Sequence, residues 1–298
     1  MSTVNSFTSK QLRVTFILAG TNQTFPGTGN NTLVLQPSGT FTGLRIQSKV
    51  EAVARLATQL DLKVFGMKKA DMDALTVAWA NPPIVLNHLV ILEANDGNGW
   101  TQVFSGTIKE AQPIYRAQPD VYFQVLAVTG YFQKINPVPP TSYPETVDIG
   151  VAAPDIIAKM GGDFTYVDGG ATGVLSNPYF WGTAWDQLKQ ACQAAKADFY
   201  VQGKQILITP QGQPRANQPA VILNRGSGLI GSPEYSGAGL EVMAIFNPAF
   251  LCGTPIQLET NVPAATGRWF PIKLQHRLDE MVKRGQWMTS MQCLRVLV

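Results

Sequence analysis

Ala52-Val53-Ala54-Arg55-Leu56-Ala57-Thr58-Gln59-Leu60-Asp61-Leu62-Lys63-Val64 carries an apolar residue, a small one or a threonine at every even position. Successive side chains of a strand point to opposite faces, so the alternation predicts one long strand with one buried face. The same period recurs upstream at Leu12, Val14, Phe16 and Leu18. A loop follows over Asn22–Asn31, with Pro26, Gly27 and Gly29, and short strands then begin at Leu33 with Leu35 and at Leu44 with Ile46. Downstream, Met72, Leu75 and Trp79 stand at helical spacing within Asp71–Trp79, and Asn81-Pro82-Pro83 cannot continue a helix. Leu86–Leu92 reads as strand, Asn95-Asp96-Gly97-Asn98-Gly99 as a hairpin turn and Trp100–Ile108 as the returning strand. A further hairpin joins a strand ending near Tyr115 to Val121–Val128, with Pro119-Asp120 near its turn. The first region is thus almost wholly antiparallel β.

Four prolines between Asn136 and Glu145 break this pattern and read as a stiff linker. Beyond it, Ala153–Met160 is helical, and Thr183 with Asp186 three residues on makes an N-cap for a helix through Leu188, Ala191, Cys192 and Ala195. Phe199–Val201 and Ile206–Ile208 flank the tight turn Gln202-Gly203-Lys204. After a second polar, proline-bounded linker at Pro210–Pro219, strands return at Val221–Leu223, Leu240–Phe246, Ile256–Leu258, Phe270–Leu278 and Trp287–Val298. The expected fold is mainly β with a small α+β module. Its division is a β domain over 1–136, linker and module over 137–216, and a second β domain over 217–298. No repeat in sequence relates the two β regions.

A chain of 298 residues fits that count, since domains hold roughly 100–200 residues. Charged residues make up 14%, well below the usual value of about 25%, so the polar surface is built from Gln, Asn, Thr and Ser. Charge keeps free monomers apart, and a chain with so little suits burial of its surface against partners. A net charge of +3 is too small for a dedicated nucleic-acid binder, and the pairs Lys68-Lys69 and Lys283-Arg284 form no basic stripe. Cys192, Cys252 and Cys293 are odd in number and far apart, which fits reduced, partly buried thiols rather than a disulfide framework or a metal knuckle. Met1–Arg13 lacks the pattern of a secretory signal, and no stretch reaches the 18 or so apolar residues that span a bilayer. The chain is expected to be soluble and made inside a cell, where the sequons at Asn22 and Asn30-Asn31-Thr32 carry no meaning.

Candidate chemistry is sparse. His88 and His276 are the two histidines, both in strand-like runs without the partners that a zinc site or a triad needs, so packing is expected of them, with an interface role conceivable for His276. Gly27-Thr28-Gly29 and Gly226-Ser227-Gly228 continue into no phosphate-binding or nucleophile motif and read as loops. Asp71, Asp73, Asp96, Asp120 and Glu234 stand beside turns or helix starts, where acids are common, and no pair among them marks a glycosidase. The six tryptophans, Trp79, Trp100, Trp181, Trp185, Trp269 and Trp287, should fill cores and, for a minority, interfaces. Phe180-Trp181 with Trp185 is the feature on which a sugar-stacking reading would rest. No catalytic, cofactor-binding or metal residue is assigned, and the chain is expected not to be an enzyme.

Two groups of residues carry a resemblance. One is Leu60–Met67, then Gln102-Val103-Phe104-Ser105-Gly106-Thr107-Ile108 and Gln118-Pro119-Asp120-Val121-Tyr122-Phe123. The other is Leu229-Ile230-Gly231-Ser232-Pro233, Phe246-Asn247-Pro248 with Cys252-Gly253, and His276-Arg277-Leu278-Asp279 leading to Gly285-Gln286-Trp287-Met288-Thr289. Both resemble the tail-tube-like domains of baseplate hub proteins of contractile-tailed bacteriophages. The resemblance implies two antiparallel β-barrel or sandwich domains of the tail-tube kind and a homotrimer whose six β units match a hexameric tail tube on one side and a trimeric spike on the other. It further implies tail tube, central spike and other baseplate proteins as partners, transient passage of DNA through a weakly charged axial channel, no cofactor, no membrane, and a place in the virion tail after assembly in the host cytoplasm. The alternatives are another tail ring or adaptor subunit, or a glycan-binding or hydrolytic module centred on 150–210.

Overall fold

The computed structural model describes residues 10–20, 23–35, 44–76, 87–161, 164–216 and 218–296. Trp79, Asn81-Pro82-Pro83, Leu86 and Asn22 therefore lie outside the described residues. The elements begin with β1 (Gln11–Ile17), β2 (Thr32–Leu35), β3 (Arg45–Val53), β4 (Gln59–Phe65), α1 (Lys69–Leu75), β5 (Leu89–Asn95), β6 (Trp100–Ile114) and β7 (Tyr122–Val128). They continue with α2 (Tyr131–Ile135), β8 (Thr141–Ser142), β9 (Thr146–Asp148), α3 (Ile149–Ala158), β10 (Thr165–Asp168), β11 (Val174–Ser176), β12 (Tyr179–Phe180), α4 (Ala184–Ala194), β13 (Ala197–Gln202) and β14 (Gln205–Pro210). The last are β15 (Val221–Leu223), β16 (Leu229–Ser236), β17 (Gly239–Ile245), β18 (Ile256–Leu258), β19 (Gly267–Glu280) and β20 (Trp287–Arg295). With 48% strand against 16% helix among the described residues, the protein is mainly β, as its alternation predicts.

The chain packs as two units. The first holds the described residues up to Glu51, then those of Gln59–Tyr131, and Gln275–Met288. Its antiparallel order is β3-β4-β7-β6-β5-β1-β2, with the later part of β19 beside β3. Alternate residues fill the interior: Leu12, Val14 and Phe16 from β1, Leu60, Leu62 and Val64 from β4, Val90 and Leu92 from β5, and Phe123 and Val125 from β7. The sheet closes on itself. β1 and β19 stand far apart in the strand order, yet the Leu12 N–H donates to the buried Glu280 Oε2 at 2.7 Å; between the neighbouring β3 and β19, the Ser48 hydroxyl donates to the Leu278 carbonyl at 2.8 Å. Gly106 stands where strands approach closely: a Cβ there would lie 2.6 Å from Phe104 Cζ and 2.8 Å from the Val128 carbonyl carbon.

The second unit holds Ala52–Thr58, the described residues of Phe132–Leu274, and those from Thr289 on. Its β10-β14-β13 sheet is joined by α3 and α4. α3 starts on Asp148, whose carboxylate accepts from the Gly150 N–H, and α4 starts on the Thr183–Asp186 capping box that the sequence spacing predicts. One core gathers Tyr200 and Leu207 with Leu223, Leu240, Phe250, Ile256, Trp269 and Met291. The proline-rich stretch expected to be a linker is pinned here: Thr141–Ser142 pairs with Tyr179–Phe180, and Pro137 bridges Thr183.

The stretch Ala52–Val64 is not one strand. β3 ends at Val53, and Arg55 takes a φ of 64° in a turn before β4 starts at Gln59. Tertiary contacts hold that turn: the Arg55 N–H donates to the Phe199 carbonyl at 2.8 Å, the guanidinium pairs with Asp198, and the Thr58 hydroxyl donates to the Val201 carbonyl at 3.0 Å. Periodicity of 2 persists across such a turn by chance, which is why the sequence reads straight through it. The predicted helix at Asp71–Trp79 is found as Lys69–Leu75. β16 is a strand that alternation did not reveal, since Gly231, with φ of 70°, and Pro233 interrupt it.

Removing the Glu280 carboxylate, as in Glu280→Ala, strips a buried strand-edge N–H of its acceptor. The expected loss of unfolding free energy is about 1–3 kcal/mol, measured by urea denaturation, and an unchanged midpoint would contradict this account of closure.

Candidate assembly surfaces

In the first unit, β3, β4 and the β19–β20 turn enclose an open groove of about 450 Å³ lined by Gln47, Ser48, Lys49, Asp61, Lys63 and Arg277, together with Asp279, Val282, Lys283, Arg284 and Gln286. Five side chains are cationic and two are carboxylates. Both carboxylates are occupied locally: Asp61 accepts from Gln124 Nε2 at 3.2 Å, and Asp279 accepts from the Gln286 N–H at 2.8 Å. Lys49 pairs with Glu51 at 3.2 Å, whereas Lys63, Arg277, Lys283 and Arg284 form no ion pair among the described residues.

The turn that carries Lys283 and Arg284 is held firmly. Met281 and Arg284 have φ of 57° and 59°, the Asp279 N–H donates to the Gln286 carbonyl at 2.8 Å, and the Gly285 N–H donates to the Val282 carbonyl at 2.9 Å. A Cβ on Gly285 would sit 2.9 Å from Asp279 Cβ, so glycine lets the turn close against β19.

In the second unit, β16 and β17 form a hairpin through Gly237-Ala238, and β16 is the terminal strand of its sheet. Its outward face pairs Ile230 with Met243 and Glu234 with Glu241, all four exposed. Like charges directly across an antiparallel pair repel. The bulge between Ile230 and Glu234 and the missing N–H of Pro233 spoil the free edge for backbone pairing, so this hairpin offers a face instead.

The residues weighed for chemistry take structural places. His88 is buried, its Nδ1 accepts from the Ala19 N–H at 2.9 Å, and burial pushes its pKa down. His276 is buried too, and desolvation pushes it down to about 4. Burial raises the thiols of Cys192 and Cys293 to about 12 and that of Cys252 further still. Among the described residues no three or more His, Cys, Asp or Glu gather as metal ligands, and no helix is long and apolar enough to cross a membrane. Asp73 pairs with Lys69 at 2.6 Å and Asp120 with Arg45 at 2.7 Å, Asp71 lies in the first turn of α1, and Asp96 takes part in the β5–β6 turn. The loops at Gly27-Thr28-Gly29 and Gly226-Ser227-Gly228 are turns, the latter closed by the Asn224–Ser227 capping box.

The aromatic trio comes apart: Trp181 is 66% exposed, but Phe180 and Trp185 are buried, so no three-ring sugar platform exists. Trp269 is buried and donates from Nε1 to the Ala265 carbonyl at 2.8 Å, and Trp100 lies under the Arg13 guanidinium at 4.5 Å. Trp287 is half-buried under Lys10. The groove was missed because its cations come from positions 49, 63 and 277–284, brought together only by strand pairing. The Lys283-Arg284 pair was the one local signal of it.

This mainly antiparallel β architecture with a small helical module is shared with solved phage tail proteins. It aligns with the 43 kDa tail protein of prophage MuSo2 from Shewanella oneidensis at 9% identity and a TM-score of 0.59, covering 97% of each chain. A tail protein from Neisseria meningitidis aligns at 8% identity and TM-score 0.58 over 95% of this chain and 96% of that one. The Escherichia coli c3393 protein, a component of the type VI secretion system similar to bacteriophage T4 tail proteins gp27 and gp5, aligns at 10% identity and TM-score 0.57, covering 87% of this chain and 76% of its own. At these identities the likeness is one of fold. No curated protein sequence matches. The chain belongs to the baseplate hub gp41 family, whose model matches residues 68–284.

Two consequences of burial can be measured. Unfolded His276 binds a proton near its ordinary value of 6.5, while the folded residue binds one only near 4, so stability falls as pH drops through that window. This one group contributes a slope of up to about 1.4 kcal/mol per pH unit, which a His276→Gln variant would lack in urea titrations at several pH values. At pH 8 the folded protein should also show no rapidly reacting thiol toward Ellman's reagent, and three per chain once denatured.

Proposed function

We propose that this protein is a non-enzymatic hub subunit, three copies of which form a ring joining the hexameric tail tube to the trimeric spike around an axial passage for DNA. The observation that carries this reading is the match to the baseplate hub family over residues 68–284, a span that takes in parts of both packed units. The two β regions, at 1–136 and 217–298, supply the tube-like parts, and 137–216 forms the module between them. Three chains with two such parts each present six β units, which reconciles a six-fold neighbour with a three-fold one. A charged fraction of 14% suits a surface largely covered by copies and by tail tube, spike and other baseplate proteins, within a virion assembled in the host cytoplasm.

Counting copies tests the proposal. An image of the assembled tail should show three copies per baseplate between tube and spike; six or twelve copies would make the chain a tube or adaptor ring subunit instead.

A further inference from the structure

The groove and the hairpin are complementary in charge: Arg277 donates to Gln286 Oε1 at 3.4 Å and Lys63 lies over the Tyr122 ring, but neither set of charges meets an opposite charge in an ion pair among the described residues, Lys49 aside. Lys63, Arg277, Lys283 and Arg284 line a concave surface without ion-pair partners among the described residues. Glu234 and Glu241 stand opposite each other on an exposed hairpin, likewise in no ion pair among the described residues. Their mutual repulsion is a cost that a cation placed between them would remove. The exposed Ile230 and Met243 beside them would add apolar contact at the edge of such a joint.

We infer that the β16–β17 hairpin of one copy docks in the Lys63–Arg277–Lys283–Arg284 groove of the next, the Glu234–Glu241 pair meeting the groove cations. This deepens the ring reading and rests on it. A cyclic trimer requires a heterologous contact, made by two different patches, and a ring closes when the rotation between them returns to the start. Groove and hairpin are two such patches. Duplex phosphates would also be drawn to an open cationic groove, but a channel through which DNA must slide is served by sealing those cations inside an interface. The hairpin fits as occupant because its free edge is guarded by Pro233 and a bulge, which leaves its side-chain face as the surface for contact.

The test uses the full chain. A groove-reversed protein (Lys283→Glu, Arg284→Glu) and a hairpin-reversed protein (Glu234→Lys, Glu241→Lys) are followed by sedimentation equilibrium at low and high salt, with circular dichroism to verify folding. Each alone should self-associate at least about tenfold more weakly than the parent, and a mixture of the two, or both reversals on one chain, should restore association. Should the groove reversal misfold, Lys283→Gln with Arg284→Asn, the latter tolerant of positive φ, should give a smaller loss in the same direction. Parent-like oligomers in both reversed proteins, or losses without recovery on mixing, would overturn the docking while leaving the ring intact. Loss of duplex oligonucleotide binding with unchanged oligomer mass would assign the groove to DNA and overturn it as well. A parent chain that stays monomeric at every concentration would remove the ring and the docking together.

Discussion

The hydrogen bond from the Leu12 N–H to the Glu280 carboxylate spans 268 positions of chain and joins β19, at one end of the first unit's strand order, to β1, next to last at the other. A sheet whose inner face is apolar must curl or be covered, and its last free N–H groups must find acceptors if they are buried. Glu280 meets that requirement with a side chain instead of a ladder, and everything in the first unit follows from the closure. The interior residues of β1, β4, β5 and β7 are buried on the face toward which the sheet curls. Gly106 sits where the tightness of that curl leaves no room for a Cβ.

Closure also builds the outer surface. Once β19 lies beside β3, Arg277 comes next to Lys49 and Lys63, and the turn after β19 sets Lys283 and Arg284 above them. A protein with few charges thereby concentrates several of one sign in a single groove, where they count more than the net charge of +3 suggests. The same economy appears in the hairpin of the second unit, where two carboxylates oppose each other and neither forms an ion pair among the described residues. Low overall charge combined with local charge opposition is a pattern suited to specific contact between protein surfaces, since unlike patches guide docking and like patches discourage wrong ones.

Much of this was legible in the chain. Asn95–Gly99 and Gln202–Lys204 are local turn chemistries, and both hairpins are found, β13–β14 in continuous register and β5–β6 with one shift between Leu92 and Glu93. Thr183 and Asp186 fix the start of α4 by a two-residue exchange of hydrogen bonds that no tertiary contact needs to support. Other elements were hidden. The turn at Arg55 is imposed by Phe199, Asp198 and Val201, residues more than a hundred positions away, and β16 is carried by pairing with β17 despite a glycine and a proline.

By itself the sequence determined the β class, the helices of the small module, the hairpin turns and the absence of a recognisable catalytic motif, because each depends on side-chain period or on residues within a few positions of one another. The tertiary structure alone decided where 52–64 breaks, how the first sheet closes, and that five scattered cations share one groove. Those outcomes depend on which strands pair across long stretches of chain, and pairing partners leave no trace in local pattern.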